Sequence, residues 1–263
     1  MALGLKVTNV SKTWNPDGPE PVPAVRNLTL DVELGEFVVL LGPSGCGKSS
    51  LLYIVAGLED ATEGSVTFDG LEVTEPSPER SLIFQEAALY PWLTVGDNIT
   101  FGLKIAGQTP KKQDEAAERL LRLVGLVGAG DKRPHELSGG MRQRAALARA
   151  LAMEPKVLLM DEPFAALDIQ TRARMQSHLL NIWESSKASV LLVTHSIEEA
   201  LALADRVVVF TARPGQIKAE VPISAPRPRD MRSPEMIDLA IQCEALLAEE
   251  VEKSFKEQEQ ELA

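Results

Sequence analysis

Basic charge and sulfur are both scarce in this chain. Its 263 residues carry 27 lysines and arginines against 38 aspartates and glutamates, a formal net charge of −11. That excludes the overall positive footprint of a nucleic-acid binder and leaves room only for a local basic patch. Cysteine occurs twice, at Cys46 and Cys243, which gives no disulfide framework and no metal cluster. Two free thiols in a reducing compartment fit that count. No apolar run reaches the ~18–20 residues of a membrane span, so any membrane role is expected to pass through docking to another protein. The opening "MALGLKVTNVSKTW" lacks a basic start followed by a long apolar run, so a strand is expected there, not a secretion leader. Internal repeats and low-complexity tracts are missing as well. What remains is ordinary globular material, 44% hydrophobic and 25% charged. The length suits one large domain, or one core with an inserted subdomain.

Alternating or continuous apolar runs predict strands at 5–14, 26–34 and 35–41, the first two separated by the Pro/Gly-rich "NPDGPEPVP". "KSSLLYIVAGL" at 48–58 has helical spacing, and "GSVTFDG" and "RSLIF" are short strands. From Gln85 to about Glu154 helices dominate. "KVLLM" and "SVLLVTH" read as buried parallel strands. "DRVVVFTARPGQIKAEVPIS" reads as a terminal hairpin region, and "APRPRDMRSPE" as a linker into a helix over about 234–260. That last helix is amphipathic and acidic, with Glu235, Asp238, Glu244, Glu249, Glu250, Glu252, Glu257, Glu259 and Glu261 against Lys253 and Lys256. Strands alternating with helices predict an α/β fold with a mostly parallel sheet. The expected organisation is an α/β core with an antiparallel β subdomain over 1–86 and 155–225, a helical subdomain over 87–154, and a helical extension over 226–263.

The chemistry is carried by short motifs. "GPSGCGKS" at 42–49 matches G-x-x-x-x-G-K-[ST], preceded by the strand "FVVLL" and followed by a helix. Glycines in such a loop let backbone N–H groups surround phosphate oxygens. Lys48 then reaches the β- and γ-phosphates, and Ser49 offers its hydroxyl to Mg²⁺. Cys46 lies inside the loop, close to where phosphate binds. "VLLMDEP" at 157–163 is an apolar strand ending in two carboxylates. Asp161 suits Mg²⁺ coordination through water, and Glu162 suits a general base that polarises the attacking water. "VTHS" at 193–196 puts His195 at a strand end, as a structural histidine or as a γ-phosphate contact. His135 and His178 read as surface or loop residues. Gln85 follows the strand "SLIF", where its amide can touch Mg²⁺ or water. "LSGGMRQRAALARAL" at 137–151 is a second anion site, a hydroxyl cap and two glycines opening a helix.

Together these residues resemble the ATP-binding subunit of ABC transporters over about residues 5–225. The motifs stand in the family's order: a Walker A loop at 42–50 (Gly42, Pro43, Ser44, Gly45, Cys46, Gly47, Lys48, Ser49, Ser50), a Q-loop at Gln85, the signature "LSGGMRQR", Walker B at Asp161 and Glu162, the D-loop "ALD" with Asp168, and the switch His195. The resemblance implies a P-loop ATPase fold, with ATP and Mg²⁺ as ligands. It also implies pairing with a second copy or a homologous ATPase subunit, head to tail. Ser138, Gly139 and Gly140 of one chain would then hold the γ-phosphate bound by the partner's Walker A loop, which accounts for two phosphate sites in one chain. The aromatic that stacks on adenine is implied to be Trp14, which alternatively packs as a strand residue. Two positions depart from the family habit. Ser50 stands where Thr is commoner, and "AALD" lacks the usual Ser.

A narrower likeness, carried by "LYPWLTVGDNITFGL" (89–103), "VTHSIEEALALADRVVVFTARPGQI" and "PRPRDMRSPE", is to importer ATPases of the nitrate, sulfonate, taurine and bicarbonate group. It implies an integral membrane permease docking at 86–103 through Tyr90, Pro91, Trp92 and Leu93, and indirectly an extracytoplasmic solute-binding protein. No nucleic-acid partner is implied, and the expected location is peripheral, at the cytoplasmic face of the membrane. An importer ATPase for another solute class, or a soluble ABC ATPase outside transport, is the alternative. The acidic C-terminal helix is expected to be a solvated cap whose removal leaves ATPase turnover intact.

Overall fold

The computed structural model describes residues 4–165, 167–186 and 188–261. Ala166 of the expected D-loop lies outside the described residues. The chain divides into two compact units, Met1–Ser77 with Ser189–Ala263, and Pro78–Ala188. The boundaries expected at 86/87 and 154/155 both fall inside the second unit.

The first unit holds two strand systems. In one, β1 (Leu5–Trp14) pairs antiparallel with β2 (Val22–Val32) and with β4 (Glu63–Phe68), which continues into β5 (Leu71–Glu72). Leu5, Val7 and Val10 point inward and are fully buried, while Asn9 takes φ 48° at an irregularity of the ladder. β2 begins at Val22, ahead of the expected 26, and so includes Pro23. It is an edge strand in the order β2-β1-β4-β5, where a residue without an N–H costs no ladder bond. In the other system, β3 (Phe37–Leu41) lies between two parallel neighbours, β8 (Ser189–Thr194) and β9 (Arg206–Phe210). Every residue of β3 and β8 is buried, which explains their unbroken apolar sequence. β10 (Ile217–Pro222) returns antiparallel on β9, the expected terminal hairpin. The unit's helices are α1 (Lys48–Ala56), α6 (Ile197–Leu203) and α7 (Pro234–Glu261). α7 buries Met236, Cys243, Leu247 and Glu250, and α6 is among its neighbours. The acidic helix is therefore packed on one face and solvated on the other.

The second unit contains β6 (Arg80–Ile83), α2 (Val95–Ile105), α3 (Pro110–Leu123), α4 (Gly139–Leu151), β7 (Val157–Asp161) and α5 (Ile169–Ser186). β6 and β7 pair in parallel. α2, α3 and α4 share a core of Val95, Ile99, Leu120, Val124, Ala145 and Ala148. Thr94 caps α2, its side chain accepting from Asp97 N at 3.1 Å, and Pro110 opens α3 at a position where proline is favoured. α5 is not foreseen by the apolar pattern, because its buried face is only Met175, Leu179 and Ile182 in an otherwise polar stretch. It also corrects the reading of His178, which lies on this helix half-buried, with Nδ1 enclosed and without a hydrogen-bond partner. His135 is exposed in the 3₁₀ turn Pro134–Glu136, as expected.

Candidate nucleotide site

In the first unit the chain leaves β3 and turns through Gly42–Gly47 into α1. Gly45 (φ 78°) and Gly47 (φ 97°) take left-handed backbone, the conformation from which anion-binding nests of N–H groups are built. At Gly47 a methyl group would also lie 2.3 Å from the Ala24 carbonyl oxygen. Lys48 is 4% exposed, and its Nζ donates to the carbonyls of Gly42 (2.9 Å) and Pro43 (2.7 Å). The ammonium is thus held inside the loop by neutral acceptors. A phosphate oxygen forms stronger, charge-assisted bonds, so the same lysine is placed to exchange carbonyls for nucleotide. Ser44 and Gly45 form the exposed lip, and Ser49 and Ser50 lie half-buried on the first turn of α1. Burial pushes the Cys46 thiol up by more than the neighbouring Lys48 pulls it down, so it stays protonated at neutral pH.

The loop rests closely on Phe210 and on the Gly215 turn. A methyl on Gly42 would meet Phe210 Cβ at 3.0 Å, and one on Gly215 would lie 2.1 Å from the Cys46 carbonyl oxygen. Trp14 ends β1, half-buried, with Lys12 Nζ 4.3 Å from its ring centroid. His195 is exposed just past β8. The turn after it is fixed by Thr194, whose hydroxyl donates to buried Glu199 at 2.7 Å and accepts from Ser196 N at 3.1 Å.

In the second unit, Asp161 is the buried last residue of β7, 3% exposed, and Glu162 follows it with φ 45°. A left-handed glutamate is uncommon and concentrates at functional turns. β6 runs beside β7 with Ile83 opposite Met160, so exposed Gln85 and the two carboxylates stand at adjacent C-terminal strand ends. Ligands of parallel α/β sheets bind at such ends. Ser138 is the exposed N-cap of α4, accepting from Met141 N at 3.3 Å. Gly140 is held close, since a methyl there would meet Leu167 at 3.0 Å. Asp168 caps α5 by accepting from Thr171 N at 3.0 Å, a bond that holds its carboxyl below the usual range. The structure thus gives Asp168 a helix-capping role beside the nucleotide contact expected of it.

Sequence reasoning named Tyr90–Leu93 but missed what shapes them. Asn98, fully buried on α2, accepts from Tyr90 N (2.8 Å) and donates to the carbonyls of Tyr90 (3.1 Å), Leu93 (3.4 Å) and Thr94 (2.9 Å). The Tyr90 ring lies 4.7 Å from Phe101 and 5.5 Å from Trp92, with the Arg149 guanidinium 5.4 Å away. Trp92 itself is 66% exposed. Asn98 was legible only as a polar residue interrupting an apolar helix face.

A strand–glycine loop–helix with a buried lysine, and a strand ending in Asp-Glu, define a P-loop ATPase of the α/β class. The family model for "ABC transporter" matches residues 25–165. The chain belongs to that family and is an ABC-type ATPase. It is 48% identical over 97% of its length to an uncharacterised ABC transporter ATP-binding protein of Methanocaldococcus jannaschii, of which it covers 96%. It is 49% identical to the nitrate import ATP-binding protein of Synechocystis, with 78% of this chain and 77% of that protein aligned. It is 53% identical to a taurine import ATP-binding protein of Mesorhizobium japonicum, with 75% and 77% aligned. Among solved structures, a dimeric ATP-binding cassette bound to ADP and Pi superposes with a TM-score of 0.77 at 31% identity, over 84% of this chain and 99% of that one. Among the described residues no helix is long and apolar enough to cross a membrane.

Proposed function

We propose that this chain is the ATP-hydrolysing subunit of an importer for small anions or sulfonates, acting on a separate membrane permease from the cytoplasmic face. The nitrate and taurine import proteins it is similar to support the solute class. Two copies, or one copy and a homologous subunit, close on two ATP molecules. Lys48 and the Walker A amides bind the phosphates, Trp14 stacks on adenine, and Ser138–Gly140 cap the γ-phosphate held by the neighbouring chain. Glu162 accepts the proton of the attacking water, and His195 hydrogen-bonds the γ-phosphate. Ser49, Gln85 and, through water, Asp161 have the hard oxygen chemistry that suits Mg²⁺, which when bound neutralises charge developing on the phosphates. In this reading 1–86 with 155–225 form the nucleotide-binding core, 87–154 is the subdomain that meets the permease through Tyr90–Leu93, and 226–263 is an extension. A solute-binding protein delivers cargo on the far side.

The observation that supports the pairing is Ser138, an exposed helix cap followed by two glycines, a helix start of the kind that binds anions and open to solvent. The decisive experiment is the solution mass of the Glu162→Gln variant with and without Mg-ATP. Doubling only with ATP is expected, and lost on adding Ser138→Arg. A variant that binds ATP yet stays monomeric, in a protein whose transport survives Ser138→Arg, sinks the cross-subunit reading.

A further inference from the structure

We propose that Glu250, on α7, is a positioning residue for ATP: it ties the C-terminal helix to the turn on which the Walker A loop rests. This rests on the nucleotide reading above. Glu250 is 2% exposed, the only carboxylate buried on α7 among the described side chains. One carboxylate oxygen accepts from the backbone N–H of Ala212 at 2.9 Å. The other accepts from Lys218 (2.8 Å) and Lys253 (3.0 Å). Ala212 lies in the 211–216 connection between β9 and β10, which Thr211 closes on itself. Its hydroxyl donates towards Ala212 O (3.0 Å) and Pro214 O (3.2 Å) and accepts from Gln216 N (3.0 Å).

The far end of that connection is Gly215. Its N–H donates to Ala24 O at 2.8 Å, and its carbonyl accepts from Arg26 N at 3.1 Å. It meets the underside of the phosphate loop so closely that a Cβ would stand 2.1 Å from Cys46 O. Ala24 O in turn is the atom that crowds Gly47. A continuous path of contacts therefore runs from the Glu250 carboxylate through the backbone of Ala212 and Gly215 to Cys46 and Gly47. A second, direct contact points the same way: Ser254, one turn further along α7, donates to Ser44 O at 3.4 Å. The helix thus touches the loop at its lip and supports it from beneath. Neither contact adds a group that reacts, so the effect belongs to binding and not to the chemical step.

The test is ATP binding by calorimetry and steady-state ATPase kinetics on the full chain. Glu250→Ala is expected to raise the Kd and KM for ATP several-fold, up to the roughly ten-fold reached if the full worth of a hydrogen bond to a charged group is transmitted to the loop, with kcat at saturating ATP unchanged. Glu250→Gln keeps an acceptor for Ala212 N and is expected to recover most of the loss. Leu247→Ala loosens the same helix without touching the polar tie, and is expected to lower the melting temperature while leaving KM alone. An equal rise in KM for Leu247→Ala, or no recovery with Gln, overturns the role of the carboxylate. Should Glu250→Ala fail to fold, Gly215→Ala tests the other end of the path, and an unchanged KM there overturns it too. If the wild-type chain binds and hydrolyses ATP but Glu250→Ala matches it, this inference alone falls. If the wild type binds no ATP, the nucleotide reading falls with it.

Discussion

At the scale of single residues, two side chains separate binding from chemistry. Lys48 is buried among loop carbonyls and its charge is expected to serve phosphate. Lys48→Ala should weaken ATP binding by roughly ten- to a hundred-fold, the range for losing charge-assisted bonds, and calorimetry reads it directly. Glu162 does the opposite. Glu162→Gln should retain ATP with near-native affinity while turnover drops by about 10²–10⁴-fold, the usual contribution of a positioned general base. Phosphate release from a single pre-bound turnover separates the two cases. A Gln variant that turns over normally would mean the base lies elsewhere. Backbone geometry adds a reason to watch Glu162, because φ 45° is a conformation that glutamate adopts only under local constraint.

At the scale of elements, the 90–98 segment separates exposure from packing. Trp92 is an exposed ring on a loop fixed from behind by Asn98. Trp92→Ala is expected to change stability by less than about 0.5 kcal/mol, as surface substitutions do, and, if the proposed permease docks here, to abolish its stimulation of ATPase activity. Ile99→Ala, one residue beyond Asn98 and fully buried, is expected to cost about 2–5 kcal/mol in urea melts. The contrast also shows which parts of the molecule sequence can disclose. The Walker loop, the Asp-Glu strand end and the Ser-Gly-Gly helix start were legible, because phosphate and metal chemistry demand particular residue types at fixed local spacing. The buried strands β3 and β8 were legible from unbroken apolar runs. Asn98 was not, since its work is to satisfy backbone groups whose positions only the fold defines. Nor was Gly215, one residue of the expected terminal hairpin region, because its close approach to Cys46 O is set by the fold. α5 escaped because three buried residues in eighteen leave a faint periodic signal.

At the scale of the whole molecule, an acidic chain places one of its carboxylates where burial should protonate it. Burial pushes Glu250 up, but the hydrogen bonds from Lys218, Ala212 N and Lys253 outweigh it and hold the group at about 2, against the ordinary 4.5. The folded state therefore favours the ionised form. Its contribution to stability is complete above about pH 4.5 and is lost as the pH falls towards about 2. The stability gap between wild type and Glu250→Gln should accordingly be widest near neutrality and close on acidification. Denaturant titrations at several pH values read this, and a gap that stays constant down to pH ~3 would assign the effect to packing and not to charge.

The parallel pairing of β3 with β8 has a consequence for biosynthesis. Phe37 pairs with Val190, so roughly 150 residues must be made before the first Walker strand meets this neighbour, on the order of 10 s at about 5–20 residues/s. For that interval "FVVLL" emerges from the ribosome as a bare apolar strand without β8 beside it. The phosphate loop it carries gains its underlying turn only when Gly215 is made, and Glu250 later still. Nascent chains should therefore engage chaperones early, and acquire nucleotide late, at nearly full length.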